Sequence, residues 1–157
     1  MQSNISAVVE RSQQQTPLTT SLKQSTTLKT NVSFYETAAH EFRSKFELPI
    51  GLTISSLNLQ QTLIDEEHLE LAHAYLDLKK DITNKRAREH MLKELADVVV
   101  TCHQMAAAFG WDLQTAFNRV HASNMSKLGE DGKPIRREDG KILKGPNYYE
   151  PSLIDLV

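Results

Sequence analysis

This sequence of 157 residues contains one cysteine, six glycines and five prolines, and it has no long apolar run. A single cysteine, Cys102, excludes an intramolecular disulfide and fits a reducing compartment. No apolar run approaches the roughly 18 residues that a membrane-spanning helix needs. The chain also does not begin with a basic stretch followed by an apolar one, as secretory signals do. We therefore predict a cytoplasmic protein with no membrane partner.

Several motifs that identify common enzyme classes are also missing. The chain has no HExxH zinc motif, no GxxxxGK[ST] phosphate-binding loop, no GxGxxG dinucleotide fingerprint and no GxSxG nucleophile turn. His68 and His73 stand at i, i+5, which does not place two imidazoles on one helix face. The formal net charge of -2 gives no reason to expect binding to nucleic acid. These absences argue against a zinc hydrolase, a P-loop or Rossmann enzyme and a nucleic-acid-binding protein.

What the chain does contain is two pairs of acidic residues within an apolar helical pattern. Glu67 and Glu70 form the first pair, and Glu94 and Asp97 form the second. The i, i+3 spacing places both carboxylates of a pair on one side of a helix, roughly 5–6 Å apart at Cβ. Apolar residues surround both pairs, so the acids point to where two helices would pack against each other.

Carboxylates that converge between helices need a positive partner. They are rarely buried alone, and mutual repulsion would raise their pKa values. Oxygen ligands without Cys or a well-placed His suit Mg²⁺, with Mn²⁺ as a possible substitute, better than zinc. Because magnesium also binds substrate phosphates, the pattern indicates a phosphoryl site. A single ExxE is usually a solvated helix face, and solvated acids remain the alternative.

The pattern along the chain predicts an all-α domain over residues 31–157. Residues 1–30 are rich in Gln, Ser and Thr and lack the apolar surface that would offset their ordering entropy, so we predict disorder there. Four helices are expected, with helix-start and helix-stop signals at their ends. They are predicted at about residues 32–47, 57–82, 85–109 and 113–128, with Ser33, Ser56 and Asp112 as N-caps and Gly110 after the third helix.

Two predictions concern the core and the C-terminal segment. An aromatic stripe on the first helix, together with Cys102 on the third, is predicted to pack in the core. The stripe consists of Phe34, Ala38, Phe42 and Phe46. Beyond Gly129, two Asp-Gly turn signals predict a small hairpin or ordered loop. This segment is rich in Lys and Arg, so it is either a solvated tail or a lid that meets phosphate oxygens.

Two polar residues share a face at the end of the fourth helix. Asn124 and Lys127 stand at i, i+3, and an amide beside an ammonium suits a base edge or sugar together with a phosphate. The alternative is a solvated last turn, where Lys127 complements the helix dipole.

Residues 32–150 resemble the all-α nucleoside triphosphate pyrophosphohydrolases. The similar stretches are QTLIDEEHLEL, KELADVVV, FGWDLQTAFNRVHASNMSKL and the DGK that follows. That superfamily includes the MazG-like enzymes, the phosphoribosyl-ATP pyrophosphohydrolases and the dimeric dUTPases, and the match is best to the MazG-like dUTP pyrophosphatase branch. The resemblance implies an antiparallel four-helix bundle of the MazG-like type. It also implies a homodimer or a dimer of dimers whose active sites lie near the subunit interface and are completed by the partner's C-terminal segment.

The resemblance also implies roles for individual residues. Glu67, Glu70, Glu94 and Asp97 would hold Mg²⁺. Glu66 would act as general base, Gln61 matches the position of a base-contacting Gln, and Lys127 and Lys144 would steady the phosphates.

The implied reaction is hydrolysis of a nucleoside triphosphate, dUTP-like or non-standard, to the monophosphate and pyrophosphate. Two alternatives are phosphoribosyl-ATP hydrolysis in histidine synthesis and a non-catalytic helical module that binds metal or nucleotide.

Overall fold

Four α-helices and a short 3-10 turn make up the regular structure of residues 33–157, which are the residues that the computed structural model describes. The helices are α1 (Phe34–Lys45), α2 (Ile54–Lys80), α3 (Lys85–Phe109) and α4 (Leu113–Met125), and the turn η1 is Ile154–Leu156. The predicted all-α class is confirmed for this part of the chain. The disorder predicted for residues 1–30 lies outside the described residues.

Local hydrogen bonds explain where the helices begin and end. The Ser33 side chain accepts from the Glu36 N–H at 3.1 Å, and the Asp112 side chain accepts from the Thr115 N–H at 2.8 Å, as N-caps do. Gly110 has φ 75°, the left-handed conformation that ends α3. Both predicted caps and the predicted glycine are therefore confirmed.

One predicted cap is wrong. Helix α2 begins at Ile54 because Thr53 is its N-cap, and Ser56 is the third helical residue. The Ser56 N–H donates to the Thr53 hydroxyl at 3.0 Å, and the Thr53 N–H donates to the Ser56 hydroxyl at 2.9 Å. This reciprocal pair satisfies two backbone donors at once, which neither residue achieves alone.

Helix α3 lies at the centre of the packed helices. It contacts α2 along its length and α1 on another side, whereas the packing partner of α4 is η1. The four-residue connection between α2 and α3 makes them antiparallel neighbours. The Arg119 guanidinium on α4 forms two hydrogen bonds to the Asp155 carboxylate, at 2.5 and 2.7 Å, and so fixes η1 to that helix. The described chain thus packs three helices together and holds α4 mainly to the C-terminal turn.

Small side chains line the contacts between helices. The buried apolar residues of the described chain are all alanines, namely Ala39, Ala74, Ala106, Ala107 and Ala108. Alanines allow two helix backbones to approach closely. A close approach between α2 and α3 is what brings acidic side chains from both helices together.

The predicted aromatic core stripe is exposed. Phe34 is 79% exposed, Phe46 is 64% exposed and Phe42 is about half exposed. The reason is that the closest contact of α1 with α3 is made through the buried residues Ala39 and Arg43, and the gap beside this contact stays open. An open groove of about 470 Å³ remains between the two helices, and we call it the α1–α3 groove. It is lined largely by apolar side chains, among them Phe34, Ala38, Phe42, Leu92, Leu95 and Val99.

The remaining features of α1 and α3 are the position of a cysteine and a set of buried polar contacts. The predicted core position of Cys102 is wrong, because this residue is exposed. Buried polar contacts hold α1 to α3: the Arg43 guanidinium reaches the Gln104 side chain at 3.5 Å, and the Gln104 amide donates to the Ala39 carbonyl at 3.4 Å.

After α4, two isolated antiparallel bridges order the predicted turn segment, Leu128 with Pro134 and Arg136 with Ile142.

Membrane insertion of a helix finds no support in the described residues. None of the helices in residues 33–157 combines the length and the apolar character that crossing a bilayer requires.

We predict that Ala74→Leu destabilises the protein, because Ala74 is fully buried where α2 packs. Three added carbons would overpack this contact and lower the free energy of unfolding by about 1–3 kcal/mol. Urea unfolding followed by circular dichroism measures the change. Ala72→Leu, at an exposed position two residues away, is the matched control and should be near neutral. Equal stability of the two variants would contradict the close α2–α3 packing.

Candidate metal-binding site

The two acidic pairs face each other across the contact between α2 and α3. One carboxylate oxygen from each of Glu67, Glu70 and Glu94 lies within 4.8 Å of the other two. Asp97 adjoins them, since it shares a lysine partner with Glu70 and Glu94. We call these four residues the acidic cluster. The structure thus brings together the four side chains that the sequence proposed as metal ligands.

A lysine that sequence reasoning missed lies among these carboxylates. The Lys93 Nζ atom is 2.9 Å from Asp97 Oδ2, 3.0 Å from Glu94 Oε2 and 3.6 Å from Glu70 Oε2. Hydrogen bonds to Asp97 and Glu94 raise the pKa of the Lys93 ammonium. The i, i+4 spacing of Lys93 and Asp97 was the available signal, because such pairs meet on a helix surface.

The acidic cluster is buried on one side and open on the other. The Glu94 side chain is only 2% exposed, and its other oxygen lies 3.0 Å from His90 Nε2. The side chains of Glu70 and Asp97 are 56% and 33% exposed. Solvent and ligands can therefore reach the cluster from the side of Glu70, while Glu94 forms its base.

The ionised form of Glu67 is disfavoured by its surroundings. Burial raises its pKa, and the nearby charges of Asp97, Glu70 and Glu94 raise it further, against an opposing effect of Lys93. Its Oε2 atom is buried and has no hydrogen-bond partner among the described residues. A buried oxygen of this kind costs free energy unless a donor or a cation meets it.

Glu67, Glu70 and Glu94 form a group of oxygens that could hold a metal ion. It offers only carboxylate oxygens, which are the ligands that Mg²⁺ and Mn²⁺ prefer. Octahedral ligands about 2.1 Å from an ion are roughly 3–4 Å apart. The three glutamate oxygens, within 4.8 Å of one another, would have to move only slightly closer. The Glu67 carboxylate also has one oxygen that no hydrogen bond in the described chain engages.

The other predicted site residues do not join this cluster in the described chain. Glu66 is exposed next to it on α2, and the Gln61 amide donates to Asp65 at 2.9 Å. Lys127 donates to the Asn124 side chain at 2.7 Å.

Lys144 is also engaged elsewhere. It lies 3.6 Å from Glu150 and 4.1 Å from the centroid of the Tyr148 ring. The predicted substrate contacts of α4 and the C-terminal segment therefore have their contacts within that part of the chain.

Comparison with known proteins adds no assignment. No protein-family model matches the chain, and no curated protein has a significantly matching sequence.

We predict that Glu67→Gln raises the melting temperature of the metal-free protein at neutral pH, by a few degrees. A raised folded-state pKa means that ionised Glu67 lowers stability, fully above that pKa and not at all below the ordinary pKa of Glu. The gain should therefore shrink as pH falls through this window. Thermal unfolding between acidic and neutral pH measures it.

The control for this prediction is Glu66→Gln, which removes the same charge from an exposed neighbour. It should change the melting temperature little at any pH. If the Glu67 variant melts at or below the wild-type temperature at neutral pH, ionised Glu67 does not lower the stability of the protein, and the prediction is wrong.

Proposed function

We propose that this protein is a Mg²⁺-dependent nucleoside triphosphate pyrophosphohydrolase. It would convert a nucleoside triphosphate and water to the monophosphate and pyrophosphate. The observation that carries the proposal is the meeting of four carboxylates from α2 and α3, one of which, that of Glu67, has a buried oxygen without a hydrogen-bond partner. Carboxylates held in this way are a common means of presenting Mg²⁺ to phosphates. The resemblance of residues 32–150 to the all-α pyrophosphohydrolases points to the same chemistry.

The acidic cluster would hold the ion, and other side chains would do the remaining work. When bound, Mg²⁺, or Mn²⁺ in its place, neutralises charge on phosphate oxygens and lowers the pKa of water. Glu66 lies next to the cluster and is exposed, so it can accept the proton of the attacking water. The bond broken is the anhydride between the α- and β-phosphates. If water attacks the α-phosphorus, pyrophosphate leaves with the bridging oxygen. If water attacks the β-phosphorus, the monophosphate retains that oxygen.

The proposed substrate is a dUTP-like or other non-standard nucleotide. This rests on the sequence match of QTLIDEEHLEL and of the HASNMSK stretch to the dUTP pyrophosphatase branch. Gln61 would contact the base, and Asn124 the base or sugar. Lys127 and Lys144 would bind phosphate oxygens. The role would be removal of unwanted nucleotides from the pool.

We also propose that the enzyme is a homodimer or a dimer of dimers, in which the four-helix arrangement of the family is completed. Two observations support this. The α1–α3 groove leaves large apolar side chains in solvent, and such patches commonly mark protein interfaces. In addition, Lys127 and Lys144 have their contacts within the α4 and C-terminal part of their own chain. A second subunit could bring these residues to its partner's acidic cluster, near the interface.

Glu67→Gln should reduce pyrophosphate release at least about 100-fold, because it removes a ligand whose charge the ion needs.

Glu66→Gln should lower kcat roughly 10²–10⁴-fold while Mn²⁺ affinity is retained, as expected of a general base. Pyrophosphate release with Mg²⁺ and Mn²⁺ titration calorimetry measure the two effects. Glu89→Gln, an exposed acid on α3, is the control and should be fully active.

The substrate panel for this assay includes the canonical dNTPs, dUTP and phosphoribosyl-ATP. Preference for phosphoribosyl-ATP would replace the proposed substrate with that of histidine synthesis. The enzyme proposal is wrong if folded Glu67→Gln releases pyrophosphate as fast as wild type. It is also wrong if wild type releases none from any member of the panel. In either case a non-catalytic helical module is the remaining hypothesis.

Light scattering coupled to gel filtration tests the proposed oligomer. Leu92→Glu places a charge in the α1–α3 groove and should lower the mass toward that of one chain, because burial of an unpaired charge opposes association. Ile82→Glu is the matched control, since Leu92 and Ile82 are both 68% exposed but Ile82 lies in the α2–α3 connection. An unchanged mass for both variants would place the interface elsewhere, and a wild type with the mass of one chain would contradict the oligomer.

A further inference from the structure

We propose that Lys93 is a built-in competitor of the divalent cation: its ammonium occupies the position between the carboxylates that the ion would take, and the two exclude each other. This inference rests on the proposed function, because it concerns the same acidic cluster.

The geometry makes the exclusion direct. The Lys93 Nζ atom lies within 3.6 Å of oxygens from Glu70, Glu94 and Asp97. An ion bound to these carboxylates at about 2.1 Å would lie in the volume of the ammonium group, and two cations this close repel strongly. The ion and the ammonium therefore cannot share these ligands, and one has to leave.

The lysine is the component that can move. Its side chain is 58% exposed, whereas that of Glu94 is 2% exposed and fixed in the helix contact. A four-carbon stem lets the ammonium rotate into solvent without separating α2 from α3. Ion pairs exposed to solvent are individually weak, so the ion can displace this one.

The lysine is also an incomplete partner for the cluster. It supplies one positive charge to four acid groups, and the Glu67 Oε2 atom has no hydrogen-bond partner among the described residues. A divalent cation brings twice the charge and can engage that oxygen. Lys93 thus keeps the carboxylates close together but lowers their affinity for a divalent cation. When the cation displaces the ammonium, the carboxylates are already in place to bind it.

Lys93→Met tests the competition in the nucleotide-free protein. The variant should bind Mn²⁺ roughly 3- to 10-fold more tightly than wild type in titration calorimetry, the range expected when a few exposed ion pairs are removed. It should also melt at a lower temperature without divalent ions and gain more than wild type when Mn²⁺ is added, because the acids then lack any other cation.

Two control variants separate this effect from general charge. Lys80→Met removes the same charge from α2, where Lys80 pairs with Asp77 at 2.7 Å, and should bind Mn²⁺ as wild type does. Lys93→Arg keeps the charge and should show no gain in affinity. Lys93→Gln, also neutral, replaces the methionine variant if that variant does not fold.

The outcomes distinguish this inference from the proposed function. Equal or weaker Mn²⁺ binding by the neutral Lys93 variants, with binding by wild type intact, overturns the competition and leaves the metal site standing. Absence of Mn²⁺ binding in wild type and in every variant overturns both.

Discussion

The convergence of like charges between α2 and α3 is the constraint on which the rest of this structure depends. Glu94 is buried in the contact between the helices, and Glu67 has a buried oxygen without a partner. Helices that pack through such groups are held together only if cations offset the repulsion. Lys93 does so in part. The contact between α2 and α3 thus combines packing of the helices with repulsion between acids that Lys93 partly offsets.

The apolar part of the fold is correspondingly small. Buried apolar residues in the described chain are alanines, and α1 is held to α3 through the polar side chains Arg43 and Gln104. Alanine contacts bury little surface, so they contribute little hydrophobic stabilisation at roughly 25 cal/mol per Å². Several larger apolar side chains line the open α1–α3 groove. A chain of this kind gains from a partner that covers the groove, which agrees with the proposed oligomer.

The proposed metal ligands and the proposed phosphate-binding lysines belong to different parts of the chain. The acids belong to α2 and α3, whereas Lys127 and Lys144 belong to the end of α4 and the segment that follows. A phosphoryl site of the proposed kind needs both, because the ion binds to carboxylates and the phosphate oxygens also attract ammonium groups. In the described chain the two groups of residues have separate partners. The proposed reaction therefore depends on how the α4 segment of one subunit meets the acids of another.

The amino-acid sequence by itself determined the features that depend on neighbouring residues. The caps Ser33 and Asp112, the glycine at Gly110 and the pairing of acids at i, i+3 all follow from hydrogen bonds or spacing within one or two helical turns. The all-α class followed in the same way.

Tertiary structure decided what depends on distant residues. A helix has several apolar faces, and the side on which α1 meets α3 left the aromatic stripe in solvent. Only the approach of α2 to α3 added Glu70 to the two α3 carboxylates that Lys93 contacts, because the positions of charges on separate helices are set by packing and not by spacing along the chain.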